Sequence, residues 1–317
     1  MPRGKINKEH DLGYKHLLTH KKTFIELLKS FVRESWVNDI DESQVVLINK
    51  SYVLQDFKEK ESDIVYRLKI KDRNVIFYCL LELQSSVDYQ MPLRLLMYMV
   101  EIWRDMLKNI KKSEARRKDF KLPSIIPIVL YNGAGKWTVC RNFREILDGN
   151  ELFSNHVLDF NYILFDVNRY SEEELLGLTS LISGIFLLDQ KIDSEELKER
   201  LIKLIGIFRG LTEEELSLFK SWFKWIVKPR ILEELQSKID EVLEKSKVLE
   251  VENMVYNLAN TIDEMKKKAE VTGMEKGIEK GKIEVAKSAL EKGADIDFVI
   301  KITGLDEWVV KKLKEEV

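Results

Sequence analysis

Residues 62–85 read SDIVYRLKIKDRNVIFYCLLELQS, and their pattern decides the fold class. The run from 62 to 70 alternates apolar and polar side chains, as a half-buried strand does. A polar turn, KDRN at 71–74, separates it from VIFYCLLELQS at 75–85, which is apolar nearly throughout. Two strand-length runs around a short polar turn predict a β-hairpin. The second run suits a central strand covered on both faces. Residues two apart on a strand point to the same side, so Glu82 and Gln84 share one face while Leu83 faces away. Asp63 opens the first strand of the hairpin, which predicts that it lies beside the Glu82 end of the second. An acid embedded in CLLELQS is expensive to bury unless it is paired or coordinates a cation. Two carboxylates converging there would offer oxygen ligands to a hard divalent ion, Mg²⁺ or Mn²⁺. A pair of edge carboxylates satisfied by Arg or Lys is the alternative.

Outward from the hairpin, elements of both kinds recur. Leu17, Leu18, Phe24, Leu27, Leu28 and Phe31 stand at helical spacing and predict one or two amphipathic helices over 11–33. QVVLINKSYVL (44–54) reads as extended. MPLRLLMYMVEIWRDMLKNI (91–110) returns to helical spacing, and LPSIIPIVLYNG (122–133) and YILFDVNRY (162–170) read as further strands. The first 170 residues therefore predict an α/β core. Beyond Tyr170 the chain reads as helical, with Ser-x-x-Glu and Thr-x-x-Glu capping signals at Ser171/Glu174 and Thr212/Glu215.

The expected organisation is a core over 1–170, a helical segment over 171–230, a long helix or short coiled coil over 231–272, and a small helical unit over 273–317. The heptad pattern of the third segment drifts near Ser246. Gly273, Gly277 and Gly281 recur every four residues, which suits either a flexible hinge or a closely packed seam between helices. Each would weaken a solvated helix by roughly 1 kcal/mol relative to Ala. Gly293 reads as a C-cap, and the final helix–TGL–helix looks like a helix-turn-helix. A helix as charged as 231–269 has too narrow an apolar stripe to bury itself alone, so a homodimer through the C-terminal helices is expected, the alternative being a monomer in which these helices fold back on the core as a lid.

Composition excludes several classes. In 317 residues there are two cysteines, too few for a disulfide framework or a four-thiolate zinc site. No apolar run approaches the ~20 residues of a membrane span, and no hydrophobic segment follows the N-terminal charges, so a cytoplasmic location is expected. The 52 basic and 54 acidic residues nearly cancel, which argues against a nucleic-acid coat protein but not against an enzyme with a local basic surface. No phosphate-binding glycine motif, HExxH or GxSxG occurs. His16 and His20 stand four apart on the first helix, where solvent exposure competes with metal binding as the explanation. Lys108, Lys111, Lys112, Arg116, Arg117, Lys118 and Lys121 form the one dense basic patch, suited to backbone phosphate or to a bland surface. Arg94 and Tyr98 could touch phosphate, or could serve packing and helix salt bridges.

The run SDIVYRL…FYCLLELQSS…MPLRLLMYMVEIW…LPSIIPIVLYNG resembles the recombination-promoting nuclease (Rpn) family, also described as transposase-like members of the PD-(D/E)XK nuclease superfamily. The opening DLGYKHLL and the tail GIEKGKIEVAKSALEKGADIDFVIKITGL resemble the ends of the same family, so the likeness covers essentially the whole chain. It implies a restriction-endonuclease-like core and a metal-dependent DNA endonuclease. Asp63 and Glu82 would be metal ligands, with the Leu83 carbonyl beside them and Gln84 at the position of the superfamily's lysine. Glutamine orients water by hydrogen bonds but carries no charge, so a lysine from elsewhere is sought, and Lys15 is preferred over Lys69. Lys111, Lys112, Arg116, Arg117, Lys118 and Arg94 would contact DNA. The competing expectation is a decayed nuclease fold acting as a DNA-binding or oligomeric interaction protein. The retained Asp…Glu-x-Gln set favours the enzyme.

Overall fold

The computed structural model describes residues 12–48, 64–71, 73–82, 87–153 and 155–316, with Leu81 and Glu82 described by their backbone alone. The predicted hairpin is formed by β2 (Ile64–Ile70) and β3 (Arg73–Glu82), antiparallel in the register Ile64↔Cys79 to Ile70↔Arg73. The strands extend further than the four-residue turn implied, leaving only positions 71 and 72 between them. Lys71 sits at φ +47°, the left-handed conformation that tight hairpin turns demand. A short β1 (Val46–Leu47) continues the antiparallel side. On the other side β4 (Ser124–Tyr131) and β5 (Ile163–Asp166) run parallel to β3, giving a mixed sheet in the order β1-β2-β3-β4-β5. The chain is thus α/β, as expected.

Helices cover the sheet on both faces. Residues 12–19 (α1) and α2 (Lys21–Phe31) are the two amphipathic helices of the N-terminal stretch, broken at His20. Phe24 of α2 stacks on Tyr66 at 4.2 Å and meets Phe77 edge-on, so Tyr66 and Phe77, paired across β2 and β3, define this face. The opposite face carries Val65, Ile76, Tyr78, Leu80, Ile125, Val129 and Tyr131 against Met91, Leu95, Tyr98 and Ile102 of α3 (Met91–Asn109). Burial on both faces is why β3 reads as continuously apolar. Pro127 is tolerated within β4 because pairing with β5 begins only at Ile128.

Beyond a short α4 (Lys112–Ala115) and β5, the helices are α5 (Glu172–Gly177), α6 (Leu181–Asp189), α7 (Ser194–Lys203), α8 (Ile205–Phe208), α9 (Glu213–Ile226) and α10 (Glu233–Lys245). Both predicted capping boxes form, at Ser171/Glu174 and Thr212/Glu215. α6 is buried throughout and apolar except for Ser183 and Asp189. A glutamate from another helix helps start it: Glu26 of α2 accepts the Leu181 and Ile182 N–H groups at 3.2 and 3.4 Å. That is favourable at a helix N-terminus.

The segment 231–272, expected as a long helix or short coiled coil, is interrupted. α10 stops at Lys245, Ser246 is extended at φ −76° and ψ 137°, and α11 (Val251–Glu291) begins after a single 3-10 turn. The break falls where the heptad drifts, and the Lys220 ammonium donates to the freed Ser246 carbonyl. The chain divides into two compact units at Ala259/Asn260, within α11. In the second unit α11 runs through Gly273, Gly277 and Gly281 without a break. All three are exposed, with open space where a Cβ would stand. Gly293 caps α11 at φ +87°, and Gly304 at φ +64° ends α12 (Ile296–Thr303) before α13 (Glu307–Glu316). Ala286, Leu290, Val299, Val310 and Leu313 form the core of this unit. Among the described residues no helix is long and apolar enough to cross a membrane.

Candidate active site

Parallel strands present their carboxyl ends together, the usual place for a site in an open α/β sheet. Here the register sets Glu82 beside Tyr131, and Tyr131 beside Asp166, in one row along the carboxyl edge of β3, β4 and β5. Ile64, the first described residue of β2, pairs with Cys79 at this same edge. Asp63, Leu83 and Gln84 lie outside the described residues. Among the described residues no three His, Cys, Asp or Glu side chains gather as a metal cluster.

The two candidate lysines separate cleanly. Lys69 pairs with Asn74, at the amino end of β3 and away from Glu82. Lys15 follows Tyr14, whose hydroxyl donates to Asp189 Oδ2 at 2.8 Å, and Asn132, the residue after β4, donates to the same oxygen. α1 is thereby tied to the carboxyl edge. His20 is engaged by Glu214 at 2.6 Å, and His16 packs on Trp225 at 5.0 Å.

The basic patch is not brought to Glu82. Lys111, Lys112, Arg116, Arg117 and Lys118 are exposed. However, α3 runs back along the sheet, Trp103 donates to the Pro123 carbonyl at 2.9 Å, and the chain then enters β4 at Ser124 opposite Val75. The patch therefore hangs from the amino edge. Seven strand residues, ~23 Å at ~3.3 Å each, separate that edge from Glu82. Arg117 is also paired with Asp119 at 2.7 Å. The phosphate role expected of Arg94 is corrected. It is only 5% exposed, and its guanidinium donates to Asp88 at 2.6 Å inside the protein. Tyr98 is buried and stacks on Tyr78.

Sequence reasoning missed a buried polar network at the carboxyl edge. The Asp189 carboxylate, wholly inside, accepts from Tyr14, from Asn132 and from Arg230 at 2.6 Å. Asn168, just after β5, donates to Asn132 Oδ1 at 2.6 Å and to the Gly133 carbonyl at 3.1 Å. Burial and the neighbouring negative charge push the Tyr14 hydroxyl well above its usual pKa. The signal was present: Asp189 is the one charged residue in LISGIFLLD, and the argument that singled out Glu82 applies to it equally.

The same network fixes the turn that leaves β4. The Tyr131 hydroxyl donates to the Gly135 carbonyl at 3.1 Å, and Arg169 donates to that of Ala134 at 3.2 Å. A Cβ on Gly133 would stand 1.9 Å from the Tyr131 hydroxyl oxygen, so only glycine fits there. Asp166 lies 3.7 Å from the Arg169 guanidinium, and its buried Oδ1 finds no hydrogen-bond partner among the described residues. Burial holds its carboxyl above the ordinary range, only partly countered by nearby backbone N–H groups and by Arg169.

Comparison with known proteins places the sequence in a family. Over 309 residues, 97% of this chain and 98% of the relative, the sequence is 19% identical to "Inactive recombination-promoting nuclease-like protein RpnE" of Escherichia coli K12. Over 134 residues it is 25% identical to "Recombination-promoting nuclease RpnD" of Escherichia coli O157:H7, covering 41% of this chain and 49% of that protein. No solved structure matches the chain. The family model described as "Putative transposase, YhgA-like" matches residues 8–218, about two thirds of the sequence, and the chain belongs to that family.

Proposed function

We propose that this protein is a metal-dependent DNA endonuclease of the PD-(D/E)XK type. The observation that carries the reading is the position of Glu82. It ends the central strand β3, at the edge where antiparallel β2 begins and parallel β4 ends. Asp63 is bonded to Ile64, whose β3 partner Cys79 stands three residues before Glu82. Two carboxylates and the Leu83 carbonyl form an all-oxygen donor set, which suits Mg²⁺ or Mn²⁺. The ion would supply Lewis acidity and lower the pKa of the attacking water. Gln84 would orient that water by hydrogen bonding, and Lys15, next to Tyr14 on a helix tied to this edge, would supply the positive charge that glutamine lacks. Lys111, Lys112, Arg116, Arg117 and Lys118 hold backbone phosphate of flanking DNA at the opposite edge.

Support also comes from the family and from the relative named a recombination-promoting nuclease. A second reading, a non-catalytic interaction protein on a decayed nuclease fold, draws on the relative that is named inactive. Plasmid cleavage with and without Mg²⁺ or Mn²⁺, beside Asp63→Ala and Glu82→Ala, separates the two. Metal-dependent cutting abolished by either substitution is expected. Full activity in both variants removes the assignment, and no cutting by the wild type with any divalent ion favours the second reading.

A further inference from the structure

The strongest unassigned surface near Glu82 is the turn Asn132–Thr138 that leaves β4. It is anchored from three sides, by Asn168 on the Gly133 carbonyl, Arg169 on the Ala134 carbonyl and Tyr131 on the Gly135 carbonyl. Such anchoring holds whatever the turn presents in a fixed position. What it presents is Lys136, which is exposed and, among the described residues, forms no hydrogen bond or ion pair. Arg169 is 44% exposed beside it, and Arg141 lies within electrostatic reach of the same Asp166 carboxylate. The acid these cations share is itself buried. The outward face of the turn is therefore positive.

One aromatic ring joins it. Tyr89 is 68% exposed, and its hydroxyl is hydrogen-bonded to the Thr138 hydroxyl at 3.1 Å, which ties the segment before α3 to the end of this turn. An exposed ring held at its rim by Thr138, two residues along the turn from an unpartnered lysine, matches what an unpaired nucleotide requires: a flat apolar face for the base and a cation for its phosphate. A base inside an intact duplex offers no face to such a ring.

Resting on the nuclease reading, we infer that Tyr89 and Lys136 form a ledge at the carboxyl edge that binds single-stranded DNA next to Glu82, Tyr89 stacking on an unpaired base and Lys136 neutralising its phosphate. The ledge is distinct from the basic patch on the amino edge, and it favours single strands, flaps or melted ends over closed duplex.

The test is fluorescence anisotropy of the full chain with a labelled single-stranded oligonucleotide and with its duplex, in EDTA so that nothing is cut. Tyr89→Ala should weaken single-strand binding roughly 5- to 100-fold, the range for one lost base–aromatic stack, with little effect on the duplex. Tyr89→Phe should keep most of the affinity, because the ring and not the hydroxyl carries the contact. Lys136→Ala should lower the slope of log affinity against log salt by ~0.7, one phosphate contact on a single strand. Unchanged single-strand affinity in both alanine variants overturns the inference, as does equal loss on duplex and single strand or no binding by the wild type. Cleavage is scored separately. A wild type that cuts DNA while the variants bind normally sinks the ledge alone. Binding that depends on Tyr89 and Lys136 in a protein that never cuts sinks the nuclease reading alone.

Discussion

Replacing Asp189 by alanine should be among the most damaging single substitutions in the first unit. Its carboxylate has no exposed surface and accepts from three donors. One of them cannot find water instead, since Tyr14 is fully buried, and the half-buried Asn132 is held in place by Asn168. Losing an acceptor from a buried donor costs ~1–3 kcal/mol. Removing one member of a buried ion pair costs ~3–5 kcal/mol, discounted here because the Arg230 side chain is 39% exposed and can turn to solvent. The sum for Asp189→Ala is about 3–5 kcal/mol. For a domain of this size that lowers Tm by roughly 6–20 °C. Asp189→Asn should lose about half as much, since its amide NH₂ must face one of three donors. Tyr14→Phe removes one donor and leaves the carboxylate two, so ~1–2 kcal/mol is expected. In the Tyr14→Phe/Asp189→Ala double variant the two losses should fall short of additivity by ~1 kcal/mol, because both break the same bond. Thermal and urea unfolding of the wild type and the four variants measure all of these. An Asp189→Ala variant within 0.5 kcal/mol of the wild type, taking ~0.5 as the scatter for sites of no consequence, would show that the network does not carry the packing assigned to it.

Gln84→Ala should lose roughly 10- to 1,000-fold in cleavage rate while Gln84→Lys keeps activity; an undiminished alanine variant means the water is held elsewhere. Lys15→Ala should cut cleavage by a similar factor and Lys69→Ala should not, because Lys69 lies at the amino edge; equal effects in the two would contradict the placement by register. Asp166 has its folded pKa raised above the ordinary 3.8 by burial, so its ionised form burdens the native state once the pH exceeds the folded value and not below the unfolded one. The stability of Asp166→Asn relative to wild type should therefore rise as pH climbs from ~4 to 7, and a pH-independent difference between their Tm curves would refute this. Gly273→Ala, Gly277→Ala and Gly281→Ala should each stabilise α11 by up to ~1 kcal/mol, since open space surrounds all three. If light scattering shows the wild type dimeric and the triple variant monomeric, the glycines are a packed seam and the expected stabilisation fails.

Local pattern was enough for the elements themselves. Alternation before 71 and continuous apolarity after it define the hairpin. Ser171/Glu174 and Thr212/Glu215 cap their helices as written, and Gly293 and Gly304 end theirs because both positions need positive φ. The heptad drift at Ser246 marked a break that the charged, helix-favouring composition around it concealed. These features depend on residues a few positions apart, so the sequence carries them directly.

What depended on the tertiary structure were relations between distant residues. The basic run follows α3 in sequence, yet one helix length carries it to the opposite edge of the sheet from Glu82. Arg94 carries a full charge on an amphipathic helix, and only the Asp88 carboxylate beside it shows that it points inward. Asp189 stands 175 positions from Tyr14, 57 from Asn132 and 41 from Arg230. A buried carboxylate announces that it needs donors, but nothing in the neighbouring sequence says which ones. The parallel register that aligns Glu82, Tyr131 and Asp166 is likewise set by how the α3 crossover and the 132–162 crossover return the chain. Side-chain chemistry and period are local properties and can be read from sequence; which edge of the sheet a residue reaches is fixed only when the strands pair.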